Sequence, residues 1–187
     1  GTFGDVGCFS FFSNKNLSIG EGGMVSTLDP ELNKKLGYLR SHGMTTLTLD
    51  RHKGRAITYD VAQPGLNYRM DEMRAAIGSV QLDKLSAGNA RRGELTERYR
   101  SNLRGSAVSI PFGDQASSVT AVYHILPVLL PENADRIAVI GALKEKRIQS
   151  SIHYPPFWDF TAYQGQFSPD DSPVTADICR RQLTLPL

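Results

Sequence analysis

Cysteine is scarce in this chain, and its two copies, Cys8 and Cys179, lie far apart. That count excludes a disulfide-stapled scaffold, and the apolar neighbours of Cys8 predict buried free thiols in a reducing cytoplasm. An excess of charge of one sign is also missing. The formal net charge is +2, too little to draw nucleic acid or a membrane surface electrostatically. No apolar run approaches the roughly 20 residues of a membrane span, and the N-terminus lacks the charged-then-apolar order of a secretory signal. The four histidines, His42, His52, His124 and His153, have no metal-ligand spacing, so a zinc site is not expected. Internal repeats and low-complexity tracts are absent as well.

What remains is an ordinary globular composition, 40% hydrophobic and 21% charged. The 187 residues suffice for one domain or one and a half. The chain enters a strand-like segment almost directly after Gly1 and stops at Leu187 within "LTLPL". Both ends read as cut from something longer.

Along the chain, Phe9-Ser10-Phe11-Phe12 reads as a short buried strand and Met24 to Leu28 as a second. A helix follows, with Asp29 as N-cap, Pro30 at its first position, a stripe of Leu32, Leu36 and Leu39, and Gly43 to end it. Residues 43–65 are polar and irregular, with Thr45, Thr46, Arg51, His52, Lys53, Gly54 and Arg55; a loop of that length is usually functional or mobile. Asp71 is expected to cap a helix with Met73, Ile77 and Val80 on one face and small residues, Ala75, Ala76 and Gly78, suited to close packing. A further amphipathic helix is predicted from about Ala87 to Leu103, carrying Leu95, Tyr99 and Leu103 on one side and a Glu94–Arg98 pair. The character changes near Gly105. Strand-like runs at Val122–Leu130 and Ile148–Tyr154 flank a helix at Asp135–Lys146, whose end, Lys144 to Arg147, reads as solvated. A loop with Pro155, Pro156, Phe157, Trp158, Phe160 and Tyr163 follows, its aromatics expected to pack a small domain. The pattern is α/β.

The stretch "FSFFSNKNLSIGEGG", Phe9–Gly23, stands out. Most lysines are exposed, so Lys15 could simply decorate a hairpin tip. It nevertheless follows the most aromatic run in the chain, where desolvation would lower an amine's pKa and free it as a nucleophile. The hydroxyls of Ser10 and Ser13 stand close enough in sequence to help bind an anion. A nucleotide-triphosphate cradle is disfavoured, because there the lysine follows the glycines, and here it precedes Gly20, Gly22 and Gly23.

These residues carry a resemblance. "GDVGCFSFFSNKNLSIGEGGMVST" is similar to the cofactor-lysine segment of the DegT/DnrJ/EryC1/StrS family of pyridoxal-phosphate-dependent sugar aminotransferases. "LRSHG" at Leu39–Gly43, "GLNYRMDEMRAAIGSVQLDKL" at Gly65–Leu85, the "ARR…Y" helix, "YHILPVLLP" at Tyr123–Pro131, "HYPP" at His153–Pro156 and "LTLPL" follow in family order. The resemblance covers essentially the whole chain.

It implies that Lys15 is the catalytic residue that bonds pyridoxal 5'-phosphate and shuttles a proton, acid–base work typically worth ~10²–10⁴-fold. Relatives with histidine there are sugar dehydratases, so a lysine argues for amino transfer. Ser10 matches a serine that contacts the cofactor phosphate, although a strand serine satisfied by backbone is the plainer account. Asn67 matches an asparagine that reaches the phosphate held by the neighbouring subunit, and Arg69 could serve the same anion or brace the dimer. The three glycines imply a tight turn beside the lysine, which Glu21 orients. His153 and Tyr154 are the candidates for touching the sugar, set against the plain reading of a satisfied strand histidine.

The implied fold is a PLP-transferase fold of the aspartate-aminotransferase type. On that reading 1–85 close the large cofactor-binding domain, 86–104 form a linking helix and 105–187 form a truncated small α/β domain. The family's phosphate-anchoring helix start, ring-stacking aromatic, pyridine-pairing aspartate and final helix have no match here. Two functions follow. One is a cytoplasmic homodimeric transaminase with shared sites, moving an amino group from an amino acid, usually glutamate, to a nucleotide-linked keto sugar. The other is a non-catalytic fragment or dimerisation module of that fold.

Overall fold

The computed structural model describes residues 3–46, 52–54, 57–112 and 120–187. Arg51 and Arg55 of the irregular loop lie outside them. The chain divides into two units, Gly1–Ser86 and Ala87–Leu187.

In the first unit, strands β1 (Gly7–Ser10) and β2 (Gly23–Ser26) pair antiparallel, with Cys8 opposite Val25 and Ser10 opposite Gly23. The aromatic run is not buried as its composition predicts. Phe9, Phe12, Met24 and Val25 are all exposed, as is Cys8. A strand apolar on both faces is built for a sheet covered on both sides, and no described residue covers these. β2 stops before Leu28, which is 96% exposed, because the Thr27 hydroxyl bonds the Asp5 carbonyl and accepts from the Asp29 amide.

Helix α1 spans Pro30–Leu39. Asp29 accepts from the amides of Glu31 and Leu32 at 2.8 and 3.2 Å, the expected cap. Its leucine stripe is half-buried. Beyond it, the Gly43 amide donates to the Tyr38 carbonyl at 2.8 Å, with Gly43 at φ +73°. A Cβ there would lie 1.6 Å from the Gln63 carbonyl oxygen, so only glycine fits. Antiparallel bridges Ser41–Asn67 and Met44–Val61 close the two ends of the irregular loop against each other.

Helix α2 runs unbroken from Glu72 to Leu103, where two helices were expected. Nothing around Ser86–Gly88 breaks it; a lone glycine inside a helix costs only about 1 kcal/mol. Asp71 caps its start through the Arg74 amide at 2.8 Å, and that bond, opposed by burial and joined by the Arg74 guanidinium, holds the Asp71 carboxyl below its ordinary range. Glu94 pairs with Arg91 at 2.7 Å, three residues back, instead of with Arg98. Met73, Ile77 and Val80 are exposed among the described residues.

The second unit is built on β3 (Leu126–Leu129) and β4 (Gln182–Leu185), antiparallel, with Val128 opposite Leu183. Bridges Ser109–Leu129 and Ser151–Thr184 add a rung on either side. Val128, Leu130 and Leu183 form the core, and Leu103, Val108, Ile140 and Leu143 pack on it. Helix α3 (Arg136–Glu145) is capped by Asp135, which accepts from Ile137 and Ala138 at 2.9 and 3.0 Å. Trp158 is buried, and Phe157 makes edge contacts with Trp158, Tyr163 and Phe167, so these aromatics pack the unit.

Two strand expectations need correction. Val122–Leu130 yields strand only at Leu126–Leu129. Ile148–Tyr154 yields one bridge at Ser151 and no strand, because the His153 amide donates to the Gln182 side chain and not to a neighbouring carbonyl. The prolines that follow have no N–H to offer a ladder. β4 is reached through helix α4 (Pro173–Arg181), whose Arg181 donates to the Leu130 carbonyl at 3.1 Å.

Candidate active site

The β1–β2 hairpin presents Lys15. Beyond the last strand pair, the Phe11 amide donates to the Gly22 carbonyl at 2.9 Å, and the Phe11 carbonyl accepts from Ile19 at 3.0 Å. Within the loop so closed, the Lys15 amide donates to the Phe12 carbonyl at 2.9 Å, a tight turn. Ile19 is 5% exposed and anchors the loop. On α2, Gly78 leaves room for it, since a Cβ there would stand 3.3 Å from an Ile19 methyl. Gln81 of the same helix donates to the Ser18 carbonyl at 3.3 Å. Gly20, at φ +86°, turns the chain back toward β2.

Lys15 itself is half-buried, less than the aromatic run predicts, because that run is uncovered. Its ammonium makes no ion pair among the described residues. The exposed Ser10 accepts a 3.3 Å bond from the Phe12 amide through its hydroxyl oxygen. That leaves its O–H hydrogen to donate elsewhere.

Asn67 and Arg69 lie on the segment paired with residues 39–42, where Tyr68 and Arg40 share a 2.9 Å backbone bond. Arg69 Nε donates to Asn67 Oδ1 at 3.3 Å, which leaves the amide NH₂ of Asn67 as a donor. Arg69 also lines an open groove of about 990 Å³ together with Glu21, Gly22, Gly23, Lys34 and Arg40. Lys15, Ser10 and Asn67 are not on its wall. The groove therefore brings Arg69 together with the glycine turn.

In the second unit, His153 and Tyr154 stand edge to face with ring centroids 4.9 Å apart, and Tyr154 is 67% exposed. His153 is held by two buried polar residues that motif reading missed, Gln182 and Thr184. The signal was present in "QLTL", where polar side chains alternate with Leu183 and Leu185 at the strand period. Among the described residues no cluster of metal-ligating side chains occurs, and no helix is long and apolar enough to cross a membrane.

Lys15 thus stands on a turn pinned by backbone hydrogen bonds and by Ile19, in an α/β frame. The model of the DegT/DnrJ/EryC1/StrS aminotransferase family matches residues 1–187, and the chain belongs to that family. It is 37% identical over 191 residues to a UDP-N-acetyl-3-dehydro-alpha-D-glucosamine 3-aminotransferase of Acidithiobacillus ferrooxidans, covering 100% of this chain and 47% of the relative. It is 33% identical over 193 residues to the spore coat polysaccharide biosynthesis protein SpsC of Bacillus subtilis, of which it covers 50%. The fold matches a putative sugar aminotransferase of Streptococcus pneumoniae, solved in its PMP form, with TM-score 0.89 and 28% identity over 100% of this chain and 49% of that one. The same protein has been solved in a PLP form. The chain thus spans about half the length of these relatives.

Proposed function

We propose that the protein containing this chain is a transaminase dependent on pyridoxal 5'-phosphate. It moves an amino group from an amino acid, glutamate in the family's usual case, to a nucleotide-linked keto sugar for polysaccharide or glycoside biosynthesis. The observation that carries this reading is the half-buried Lys15, whose amine is engaged by no ion pair among the described residues and sits on a turn fixed by Phe11, Phe12 and Ile19. The A. ferrooxidans and B. subtilis relatives support the sugar and the polysaccharide.

The residues present fit the cofactor. Lys15 Nζ would supply the amine that holds it and would serve as the acid–base group that moves the proton. The Ser10 hydroxyl oxygen accepts from the Phe12 amide, and its O–H would be the donor to a phosphate oxygen. The Asn67 NH₂, its amide oxygen engaged by Arg69, would be the donor to the phosphate held by the neighbouring subunit. His153 and Tyr154 are the candidates for contact with the sugar. When bound, the cofactor supplies the electron sink for the amino transfer. The two free cysteines accord with a cytoplasmic setting.

Borohydride tests this reading in the full-length protein. Reduction should remove the cofactor's visible absorbance and leave a label on Lys15. Lys15→Ala should abolish absorbance and turnover with an unchanged circular-dichroism spectrum; full transaminase activity in that variant would overturn the assignment. A second reading, a dimerisation module without chemistry, draws on the exposed stripe Met73, Ile77 and Val80. It predicts self-association with no label.

A further inference from the structure

We propose that Gln182 and Thr184 are positioning residues that hold His153 with its proton on Nε2, so that the ring meets its ligand as a hydrogen-bond donor. The polarity of one short chain of bonds requires it. The His153 backbone N–H can only donate, and it lies 2.9 Å from the Gln182 amide oxygen Oε1. That contact fixes the orientation of the Gln182 amide and turns Nε2 toward Thr184 Oγ1, 2.6 Å away. An amide nitrogen donates and does not accept, so Thr184 Oγ1 accepts there. The threonine hydroxyl has one hydrogen left. The partner remaining for it is His153 Nδ1, at 2.9 Å. Nδ1 is therefore the acceptor, and the proton of the neutral imidazole sits on Nε2.

The reverse arrangement is penalised by burial. Gln182 and Thr184 are 4% and 5% exposed. A proton on Nδ1 would point at Thr184 Oγ1 and strand the threonine hydroxyl hydrogen without an acceptor among the described residues, the costly case for a buried donor. The exposed Ser151 hydroxyl, 3.5 Å from Nδ1, can turn to donate or to accept and so selects neither tautomer. Alternation along β4 puts Gln182 and Thr184 on one side while Leu183, 1% exposed, fills the core on the other. The relay is thus built on a rigid strand.

An Nε2–H on a half-buried ring selects an oxygen acceptor: a hydroxyl, carbonyl or phosphate oxygen of the ligand. This use of the relay rests on the reading that His153 and Tyr154 face the sugar, and the two claims are separable. Nitrogen NMR of the protein labelled with ¹⁵N in its histidine rings reads the tautomer directly, with His153→Asn assigning the signal. Wild-type protein at neutral pH should show His153 Nδ1 unprotonated and Nε2 protonated. In Gln182→Glu the carboxylate can only accept, so Thr184 turns its hydroxyl toward it and the His153 proton should move to Nδ1. Adding Thr184→Val removes the relay atom and should cancel that change. Wild-type protein with a protonated Nδ1 would overturn the proposal, whether or not the variants fold. The same inversion in the double variant would overturn it too, since a bare field effect would then suffice. In the intact enzyme, Gln182→Glu should raise the KM for the sugar substrate roughly fivefold, the scale of one lost hydrogen bond, with kcat changed less. An inverted tautomer with unchanged KM would support the relay and overturn the sugar-facing reading of His153.

Discussion

The carbonyl of Phe11 accepts the amide hydrogen of Ile19 at 3.0 Å, which closes residues 12–18 into a loop with Lys15 at its centre. Ile19 is 5% exposed, so the lysine's position depends on an apolar anchor four residues away. Ile19→Ala should cost about 2–5 kcal/mol, the usual range for a buried isoleucine. It should also weaken cofactor retention, although Lys15 itself is not substituted. Denaturant midpoints and absorbance titrations measure the two effects; an unchanged midpoint would show that the loop is held elsewhere.

The isolated chain of 187 residues should bind pyridoxal phosphate weakly. Lys15 and Ser10 are its own candidate contacts on the hairpin, and the groove beside Arg69 does not include them. Equilibrium titration with the cofactor is the measurement, and micromolar or tighter binding would contradict the expectation.

Lys15 and Asn67 should complement each other between subunits. In the full-length protein, Asn67→Ala is expected to weaken cofactor binding without removing the reactive lysine, linking affinity to assembly. Mixing that variant with Lys15→Ala should restore about one working site per heterodimer. No recovered activity after proven subunit exchange would confine Asn67 to its own chain.

Acid should remove the contribution of Asp177. The Arg181 guanidinium hydrogen-bonds its carboxylate and holds it below the ordinary value of 3.8, against an opposing effect of burial. A carboxyl depressed in the folded state stabilises above its unfolded pKa and ceases to as pH falls through the folded one. Asp177→Asn should therefore melt slightly below wild type at neutral pH, and the two should converge in acid below pH 3.8. Both side chains are partly solvated, so the gap should be small. A gap that widened in acid would reverse the sign of the argument.

Much of the local structure was legible before any coordinates. Asp29 with Pro30 announced α1, and Asp71 announced the start of α2, because a cap is a local hydrogen bond written in adjacent residues. The glycine turn after Lys15 was equally visible, since a positive φ at Gly20 is a one-residue property. What failed were statements about burial and pairing. The run from Phe9 to Phe12 promised a covered strand, and Ile148–Tyr154 promised a strand at all. Both depend on what lies opposite, which no window of sequence contains.

The sequence by itself determined the family, through ordered motifs from Gly4 to Leu187, and with it the lysine to suspect. It also determined the helix caps and the alternation of "QLTL". Only the tertiary structure decided that this last segment pairs with Leu126–Leu129, and that Gln182 and Thr184 reach across to His153. Propensity and capping act over three or four residues, whereas the relay joins positions about thirty apart in the chain. Its hydrogen-bond polarity becomes defined only when β4 is registered against its neighbours and water is excluded from the strand face.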